Sequence, residues 1–445
     1  MAEHGKIPEG FEGLPREPID IVGDPFKRFL HIEAASGVIL LVATVTALVL
    51  ANSFLSENFL SFWKTRLGFT VGSFSMMHSL QHWINDGLMA IFFFVVGLEV
   101  KRELVMGELR DLRQASLPIA AALGGMIVPA CIYFALQQGT PAARGWGIPM
   151  ATDIAFVVGC MAVLGPRIPN SFRVMMLSLA IIDDIGAILV IAIGYTAGLN
   201  LTALALAFLG IGLFLFMMKI GIRNVPVILI LMFLVWIAFH ESGIHATVEG
   251  VIFGLMMPTK AWVSEGRLGK IVQQTSGLLS GESWENSAQR YALLRQMEIA
   301  TRKSISKVER FEISLHPWVG FAIMPVFALA NAGVPFELSD FTDPVAIAVI
   351  AGLFIGKPVG IVLFSWLAVR AGIARLPEGI NWGAVIGGGC LAGIGFTMAL
   401  FIAGLALDGD VLDAAKVGVL AASFLSAILG VVLLILFLPK PAEKN

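Results

Sequence analysis

The sequence predicts an all-α polytopic membrane protein, and three observations support this prediction. Hydrophobic residues make up 57% of the chain and charged residues only 14%, whereas a soluble domain averages roughly 25% charged residues. The mean hydropathy is +0.85. The apolar residues also form runs of the length, about 20 residues, that a helix needs to cross a bilayer. The net charge of -2 gives no indication of nucleic-acid binding.

Twelve apolar runs are predicted to be transmembrane helices, and they cover residues 34–54, 82–104, 115–136, 146–165, 172–197, 201–219, 225–241, 243–260, 316–336, 343–368, 382–406 and 414–438. With a cytoplasmic N-terminus, 25 of the 30 lysines and arginines fall in cytoplasmic segments. Four fall outside, and Lys357 lies within a span. This bias follows the positive-inside rule and predicts that both termini are cytoplasmic.

The chain is thereby divided into a cytoplasmic tail (1–33), a transmembrane domain (34–438) and a C-terminal tail (439–445). The tail 1–33 has no apolar segment of the signal-peptide type. Residues 55–81 are predicted to form a surface loop or hairpin on the outer side. Residues 261–315 are the one sizeable soluble insertion, with a short amphipathic helix within 282–308. This insertion is either a solvated connector or a regulatory segment.

Four charged side chains lie at membrane depth. Asp183 and Asp184 are adjacent in the fifth run, Asp153 is in the fourth, and Lys357 is in the tenth. A charge at the centre of a transmembrane helix costs about 2.5–3.5 kcal/mol on insertion scales, so such groups face a protein interior or a watery cavity. Groups of this kind mark ion or proton pathways.

Two of the predicted spans carry signals for an interrupted helix. Pro149 precedes Asp153 in the fourth span, and residues 387–395 of the eleventh span (GGGCLAGIG) are rich in glycine. Proline removes a backbone donor, and glycine clusters weaken a helix. One break in the middle of spans 3–5 and another in the middle of spans 10–12 predict inverted-topology repeats with a site at the bilayer midplane.

The two adjacent aspartates cannot face the same partner, because neighbours on a helix do not point in the same direction. Our interpretation pairs Asp184 with Asp153 as the ion-binding pair and Asp183 with Lys357 as an ion pair, although spacing does not fix which aspartate does which. Carboxylate oxygens and the hydroxyl of Thr152 suit hard cations. Burial and mutual repulsion favour protonated carboxyl groups. The pair can therefore hold protons or a cation but not both, which predicts exchange that stops at acid pH.

Seven motifs resemble those of the bacterial NhaA family of Na⁺/H⁺ antiporters, and the resemblance covers about residues 34–438. The motifs are 85–90 (NDGLMA), 97–104 (GLEVKREL), 151–153 (ATD), 182–184 (IDD), 242–247 (SGIHAT), 356–358 (GKP) and 393–397 (GIGFT). The resemblance implies twelve spans, inverted repeats and crossed discontinuous helices four and eleven. It also implies electrogenic exchange of Na⁺ or Li⁺ for H⁺ in the inner membrane, a homodimer, and no cofactor beyond the transported ions.

Carried over by motif, the family's roles fall on particular residues. The resemblance implies that Asp153, Asp184 and Thr152 belong to the cation site, with Na⁺ at the two aspartates. It implies proton exchange at Asp183 and charge pairing by Lys357. It assigns the helix interruption to three further residues, Gly393, Gly395 and Thr397.

The family's pH-sensing region maps to charged residues at the cytoplasmic end of the second span and before the ninth, namely Glu99, Arg102, Glu103, Glu312 and His316. From the residues themselves, a solvated ion-pair network explains this set equally well. Two departures from the family pattern bear on the pH profile. Ile313 stands where a histidine is usual, and the 261–315 insertion is long.

Three other classes share some of these features. A cation or proton channel would have the acidic site without the paired helix breaks, and an organic-anion symporter would need a cationic pocket beyond Lys357. An intramembrane aspartyl protease also uses two aspartates in neighbouring spans, but Lys357 would have no role in it. The role of Glu249, a further carboxylate in the eighth span, is not assigned by any of these interpretations.

Overall fold

The computed structural model of the protein describes residues 33–72, 74–196, 198–221, 225–278, 287–335 and 338–438. Both predicted tails, except Glu33, lie outside the described residues. The helices are α1 (Glu33–Ala51), α2 (Ser56–Lys64), α3 (Leu80–Met106), α4 (Leu112–Gln137), α5 (Ile154–Leu164), α6 (Asn170–Gly194), α7 (Leu201–Ile220), α8 (Val225–Ser242), α9 (Thr247–Met256), α10 (Glu265–Leu278), α11 (Ser287–Ser304), α12 (Lys307–Asn331), α13 (Pro344–Arg370), α14 (Trp382–Ala392), α15 (Phe396–Ala406) and α16 (Gly409–Phe437).

Short irregular helical segments complete the architecture. A 3₁₀ segment, Pro141–Met150, leads towards α5. Single π-helical turns lie within α3 (Ile84–Leu88), α12 (Val319–Ile323) and α13 (Ala351–Gly356). The last of these turns ends directly before Lys357, and such turns are frequent at functional sites.

Eight helical segments of the described chain are long and apolar enough to cross a membrane, with the interrupted stretch Pro141–Arg167 counted as one, or up to ten if each bent pair of helices counts as one span. The two bent pairs are α1 with α2, at 113°, and α14 with α15, at 46°. These counts confirm the predicted class, a helical protein that crosses the membrane many times.

The segment predicted as a surface loop or hairpin contains a hairpin. Strand β1 (Arg66–Val71) pairs antiparallel with β2 (Phe74–Ser79), and Arg66 lies opposite Ser79. The helix α2 before it was not predicted. It has no buried residue, so its sequence lacks the long apolar run that indicated the other helices.

The insertion 261–315 is more helical than predicted. The predicted helix within 282–308 is present as α11, but α10 was missed, and α12 begins at Lys307 rather than at 316. The reason is a capping box: the Ser306 hydroxyl accepts from the Glu309 amide at 3.2 Å, and the Glu309 carboxylate accepts from the Ser306 amide at 3.0 Å. Glu312 therefore lies on a helix, not in a loop before the span.

Small residues allow close helix packing around the site. A Cβ added to Gly360 of α13 would lie 2.0 Å from the carbonyl oxygen of Gly124 in α4. A Cβ on Gly250 of α9 would lie 2.2 Å from the carbonyl oxygen of Ala90 in α3. Close approach of backbones at small residues is how membrane helices gain packing energy. The contact of α13 with α4 holds Lys357 within the bundle.

Candidate cation-binding site

The first interruption lies between the segment Pro141–Met150 and α5. Residues 151–153 are not helical, and Asp153 is the N-cap of α5, with an extended backbone. Its Oδ1 accepts a hydrogen bond from the Phe156 amide at 3.2 Å. An aspartate at this position satisfies an amide that the helix itself cannot pair. The helix therefore starts at Ile154, and the acid stays at the break.

The second interruption lies at residues 393–395, between α14 and α15. Packing explains why glycine occupies it. A Cβ on Gly393 would lie 2.6 Å from the Leu353 carbonyl oxygen, and one on Gly395 would lie 3.0 Å from the Leu353 side chain. The freed Phe396 amide donates to the Ser423 hydroxyl at 3.1 Å. Backbone outside a helix is tolerated at membrane depth only when it is satisfied in this way.

The two interruptions bond to each other. The Asp153 amide donates to the Ile394 carbonyl at 2.7 Å. In return, Oδ2 of Asp153 accepts from the Thr397 amide at 3.1 Å and from the Thr397 hydroxyl. Asp153 is completely buried. Its carboxylate is thus fixed between the two broken helices by donors from both.

Asp183 and Lys357 form a buried ion pair. Nζ of Lys357 lies 2.9 Å from Oδ2 of Asp183, and both side chains have no exposed surface. Lys357 also donates to the Met150 carbonyl, which the first interruption leaves free. The Thr152 hydroxyl lies 2.7 Å from Oδ2 of Asp183 and 3.0 Å from the Ala392 carbonyl, so its single proton serves one or the other. Thr152 therefore links the ion pair to the second break.

Asp184 is held differently from its neighbour. It is 1% exposed. Within the described part of the chain Oδ1 accepts no hydrogen bond in either aspartate, but Asp184 also lacks the ion pair that Asp183 makes with Lys357. Leaving a buried polar atom without a partner costs free energy. Asp184 and Asp153 line one cavity, and Thr152 lines it as well. The carboxylate of Asp184 therefore lines a space that a small cation or a proton can reach.

This cavity has a volume of about 600 Å³ and extends to the ends of α3 and α12. Its far part is lined by charged and polar residues, Glu99, Arg102, Glu103, Glu309 and His316. Hydrophobic residues such as Val95, Leu177 and Ile181 line the part between. The cavity connects one end of the helical bundle with the buried carboxylates.

The five residues of the predicted pH-sensing set come together at this end. Arg102 of α3 pairs with Glu312 of α12, and its Nη2 lies 3.7 Å from Oε1 of Glu103. Nδ1 of His316 lies 3.4 Å from Oε1 of Glu99. The set therefore joins α3 to α12 at the mouth of the cavity. Ile313 is 53% exposed.

Two polar contacts of the site region had no signal strong enough to single them out in the sequence. Asn331 of α12 donates to Oδ1 of Asn85 in α3 at 2.7 Å, and Asn85 donates back to Oδ1 of Asn331 at 3.1 Å. Ser423, which supports the second break, is one of two serines in the apolar helix α16. Asn85 opens the motif 85–90, whereas a polar residue inside an apolar run is the only hint that the sequence offers for Asn331 and Ser423.

Glu249 of α9 stays unassigned. It is 2% exposed, and its Oε1 accepts no hydrogen bond from any described residue. It does not line the cavity that contains Asp153 and Asp184.

A cluster of buried carboxylates between two interrupted membrane helices, at the end of a cavity, defines a class of protein: the ion-coupled membrane transporters. The comparisons with known proteins identify the family. The family model described as Na⁺/H⁺ antiporter 1 matches residues 27–434. The chain belongs to this family, whose members are transporters and not enzymes.

The relatives are similar over nearly their whole length. The chain is 56% identical to the Na(+)/H(+) antiporter NhaA of Rhodopirellula baltica over 431 residues, which cover 97% of this chain and 98% of that protein. It is 51% identical to the Na(+)/H(+) antiporter NhaA of Rhizobium meliloti over 417 residues, 94% and 95% of the two chains. It is 50% identical to the Na(+)/H(+) antiporter NhaA 2 of Acidiphilium cryptum over 421 residues, 95% and 94%.

Proposed function

We propose that this protein is a secondary transporter that exchanges Na⁺ or Li⁺ for H⁺ across the bacterial inner membrane. One observation carries the proposal: Asp184, buried and with an unsatisfied carboxylate oxygen, shares a cavity with Asp153. Its family membership and the names of its relatives agree with this function. The exchange serves sodium and pH homeostasis.

The charges of the site suggest how exchange works. Lys357 neutralises Asp183, so Asp153 and Asp184 carry the remaining two negative charges. Carboxylate oxygens bind hard cations such as Na⁺, and the same oxygens bind protons. Two protons neutralise the pair, whereas one Na⁺ leaves one negative charge. Exchange of two protons for one Na⁺ therefore moves net charge across the membrane, and we propose that transport is electrogenic.

The membrane arrangement that we propose has twelve spans. The eight long helices, the two bent pairs and the two shorter apolar helices, Pro226–Ser242 and Thr247–Met256, account for them. The mutual hydrogen bonds of the two helix breaks support two inverted repeats, spans 3–5 and 10–12, whose discontinuous helices cross. The distribution of lysine and arginine favours cytoplasmic termini, with the cavity opening to the cytoplasm. The resemblance further supports a homodimer, with residues 55–81 as the candidate contact.

We also propose that the ion pairs at the cavity mouth make transport pH-dependent. Glu99, Arg102, Glu103 and His316 line the mouth of the cavity, and Glu312 pairs with Arg102 there. Their charge sets the local concentration of cations and protons at the mouth. A change of protonation at the mouth therefore alters how readily cations and protons reach Asp153 and Asp184. It also alters how the two kinds of ion compete for these carboxylates.

The proposal is tested in proteoliposomes with an imposed pH gradient, to which Na⁺, Li⁺ or K⁺ is added. Na⁺ and Li⁺ should collapse the gradient in the parent protein, and K⁺ should not. Asp184→Asn should give no response, because it removes one of the two carboxyl groups that bind the cation or the protons. The matched control is Asp410→Asn, the same change at an exposed position at the start of α16.

Four outcomes contradict the proposal or a part of it. A parent protein that responds to no cation at any pH is not an antiporter. Sodium flux without proton movement would instead indicate a channel. If Asp184→Asn exchanges ions like the parent, the cation site lies elsewhere. Insensitivity of the flux to the membrane potential would contradict the electrogenic stoichiometry.

A further inference from the structure

A second cluster of ionisable side chains lies at the other end of α3, away from the cavity mouth. His78 comes from strand β2, His82 and Asp86 from the first turns of α3, and His240 from the last turn of α8. The ring nitrogens of the three histidines come within 4.8 Å of one another. Oδ2 of Asp86 lies 3.6 Å from Nε2 of His82 and 3.4 Å from Nδ1 of His240. None of the four lines the cation-site cavity.

We propose that His78, His82, His240 and Asp86 form a binding site for a divalent transition metal ion, with Zn²⁺ as the ion that fits best. Three imidazoles and one carboxylate are a ligand set that zinc accepts. Metal–ligand distances of about 2.0–2.1 Å in a tetrahedron place neighbouring ligand atoms about 3.3 Å apart. The two carboxylate–imidazole distances in the cluster are close to this value.

The ligand atoms are also polar groups in need of a partner. Asp86 is 7% exposed. Nε2 of His82 is buried and has no hydrogen-bond partner among the described residues. The same oxygen of Asp86 lies near both imidazoles, so a cation between them would gain a charged oxygen ligand. A metal ion held by the three imidazoles, with Asp86 beside two of them, would give the buried nitrogen of His82 a partner.

The surrounding structure holds the ligands in place. The rings of His78 and His82 stack with their centroids 4.3 Å apart. Trp236 stacks on His240 at 5.8 Å on one turn of α8, and the Trp83 indole donates to the Leu67 carbonyl of β1 at 2.8 Å. The hairpin, α3 and α8 are thus already in contact. A bound metal would tie these three elements together, independently of the proposed exchange reaction.

The test uses the whole protein, purified through a tag without histidines, stripped with a chelator and equilibrated with Zn²⁺. We expect about one zinc ion per chain by elemental analysis, and tetrahedral d–d absorption bands when Co²⁺ replaces zinc. Loss of an outer-shell partner weakens metal binding by roughly 10–100-fold. His82→Gln and His240→Gln each remove a direct ligand, so each should weaken zinc binding by more than that. The matched control, His316→Gln, removes a histidine outside the cluster and should bind zinc like the parent.

Zinc should also raise the thermal unfolding temperature of the parent but not that of His82→Gln, since a ligand that binds only the folded state stabilises it. The measurements on the parent protein test the proposal even if a variant fails to fold. A parent protein that retains no zinc and shows no tetrahedral cobalt spectrum would overturn the proposal. Retention of parent-like zinc binding by both cluster variants would overturn it as well. Neither result depends on transport, so the exchange function is tested separately.

Discussion

The ion pair of Lys357 and Asp183 makes a quantitative prediction about stability. Lys357→Met would remove the bond to Asp183 and the bond to the Met150 carbonyl. Hydrogen bonds to a charged group contribute about 1.5–3 kcal/mol each, and the loss of one partner of a buried pair costs about 3–5 kcal/mol. We therefore expect the unfolding free energy to fall by about 3–5 kcal/mol, because an unpaired carboxylate is left with no exposed surface.

The double variant Lys357→Met with Asp183→Asn separates this cause from a simple loss of packing. Removing both charges leaves no stranded ion, so its stability should return to within about 1–2 kcal/mol of the parent. The penalty of the single variant should also shrink as the pH falls, because a proton then neutralises the unpaired carboxylate. The assay is unfolding in mixed micelles as dodecyl maltoside is replaced by SDS, followed by tryptophan fluorescence.

Lys416 provides the matched control for this prediction. It is also buried, but its partner Asp413 is 52% exposed and lies 3.7 Å away. Lys416→Met leaves a carboxylate that water can hydrate, and pairs with an exposed member are worth about 0–1 kcal/mol. The reasoning is refuted if Lys357→Met costs no more than Lys416→Met, or if the double variant is as unstable as the single one.

Two further predictions concern the cavity mouth and the helix packing. Glu312→Gln removes a negative charge near the mouth and should shift the pH of half-maximal exchange downwards, whereas Arg102→Gln should shift it upwards, because local charge sets the proton concentration at the site. Shifts in the same direction would contradict this electrostatic role. Gly360→Ala would place a methyl group 2.0 Å from the Gly124 carbonyl oxygen and should cost at least about 1–3 kcal/mol. Gly212→Ala, where nothing lies within 4 Å of the added methyl group, should cost nothing, and thermal unfolding compares the two.

The helical membrane fold could be predicted because its signal is local. An apolar run long enough to cross a bilayer is visible without any tertiary information, and a charge within it stands out. The break before Asp153 was signalled by Pro149, and the second break by its glycines. Helix α12 was predicted to start too late because its first turns are charged. The capping pair of Ser306 and Glu309, three residues apart, is a sequence signal that would have corrected this boundary.

Contacts between distant elements could not be predicted. The carbonyl of Met150 accepts a hydrogen bond from Lys357 because the helix break leaves that carbonyl free. Since every residue has a backbone carbonyl, the identity of residue 150 does not predict this contact. The spacing of His78 and His82 suggests a shared helix face, yet His78 lies on a strand, and His240 joins them only through the fold. The direction of the cavity likewise depends on how the helices pack, and this packing cannot be predicted from the types of individual residues.

The central claim is that Na⁺ and protons compete for the carboxylates of Asp153 and Asp184. Equilibrium binding of radioactive Na⁺ to the purified protein, measured between about pH 6 and 9, tests it most directly. If two protons must leave before Na⁺ binds, the apparent Kd in the acid range should rise by up to about a hundredfold for each unit by which the pH falls. In Asp184→Asn, which keeps one of the two acids, this rise should be about tenfold per pH unit. A Kd that does not change with pH, or an Asp184→Asn protein that binds Na⁺ as the parent does, would contradict the claim.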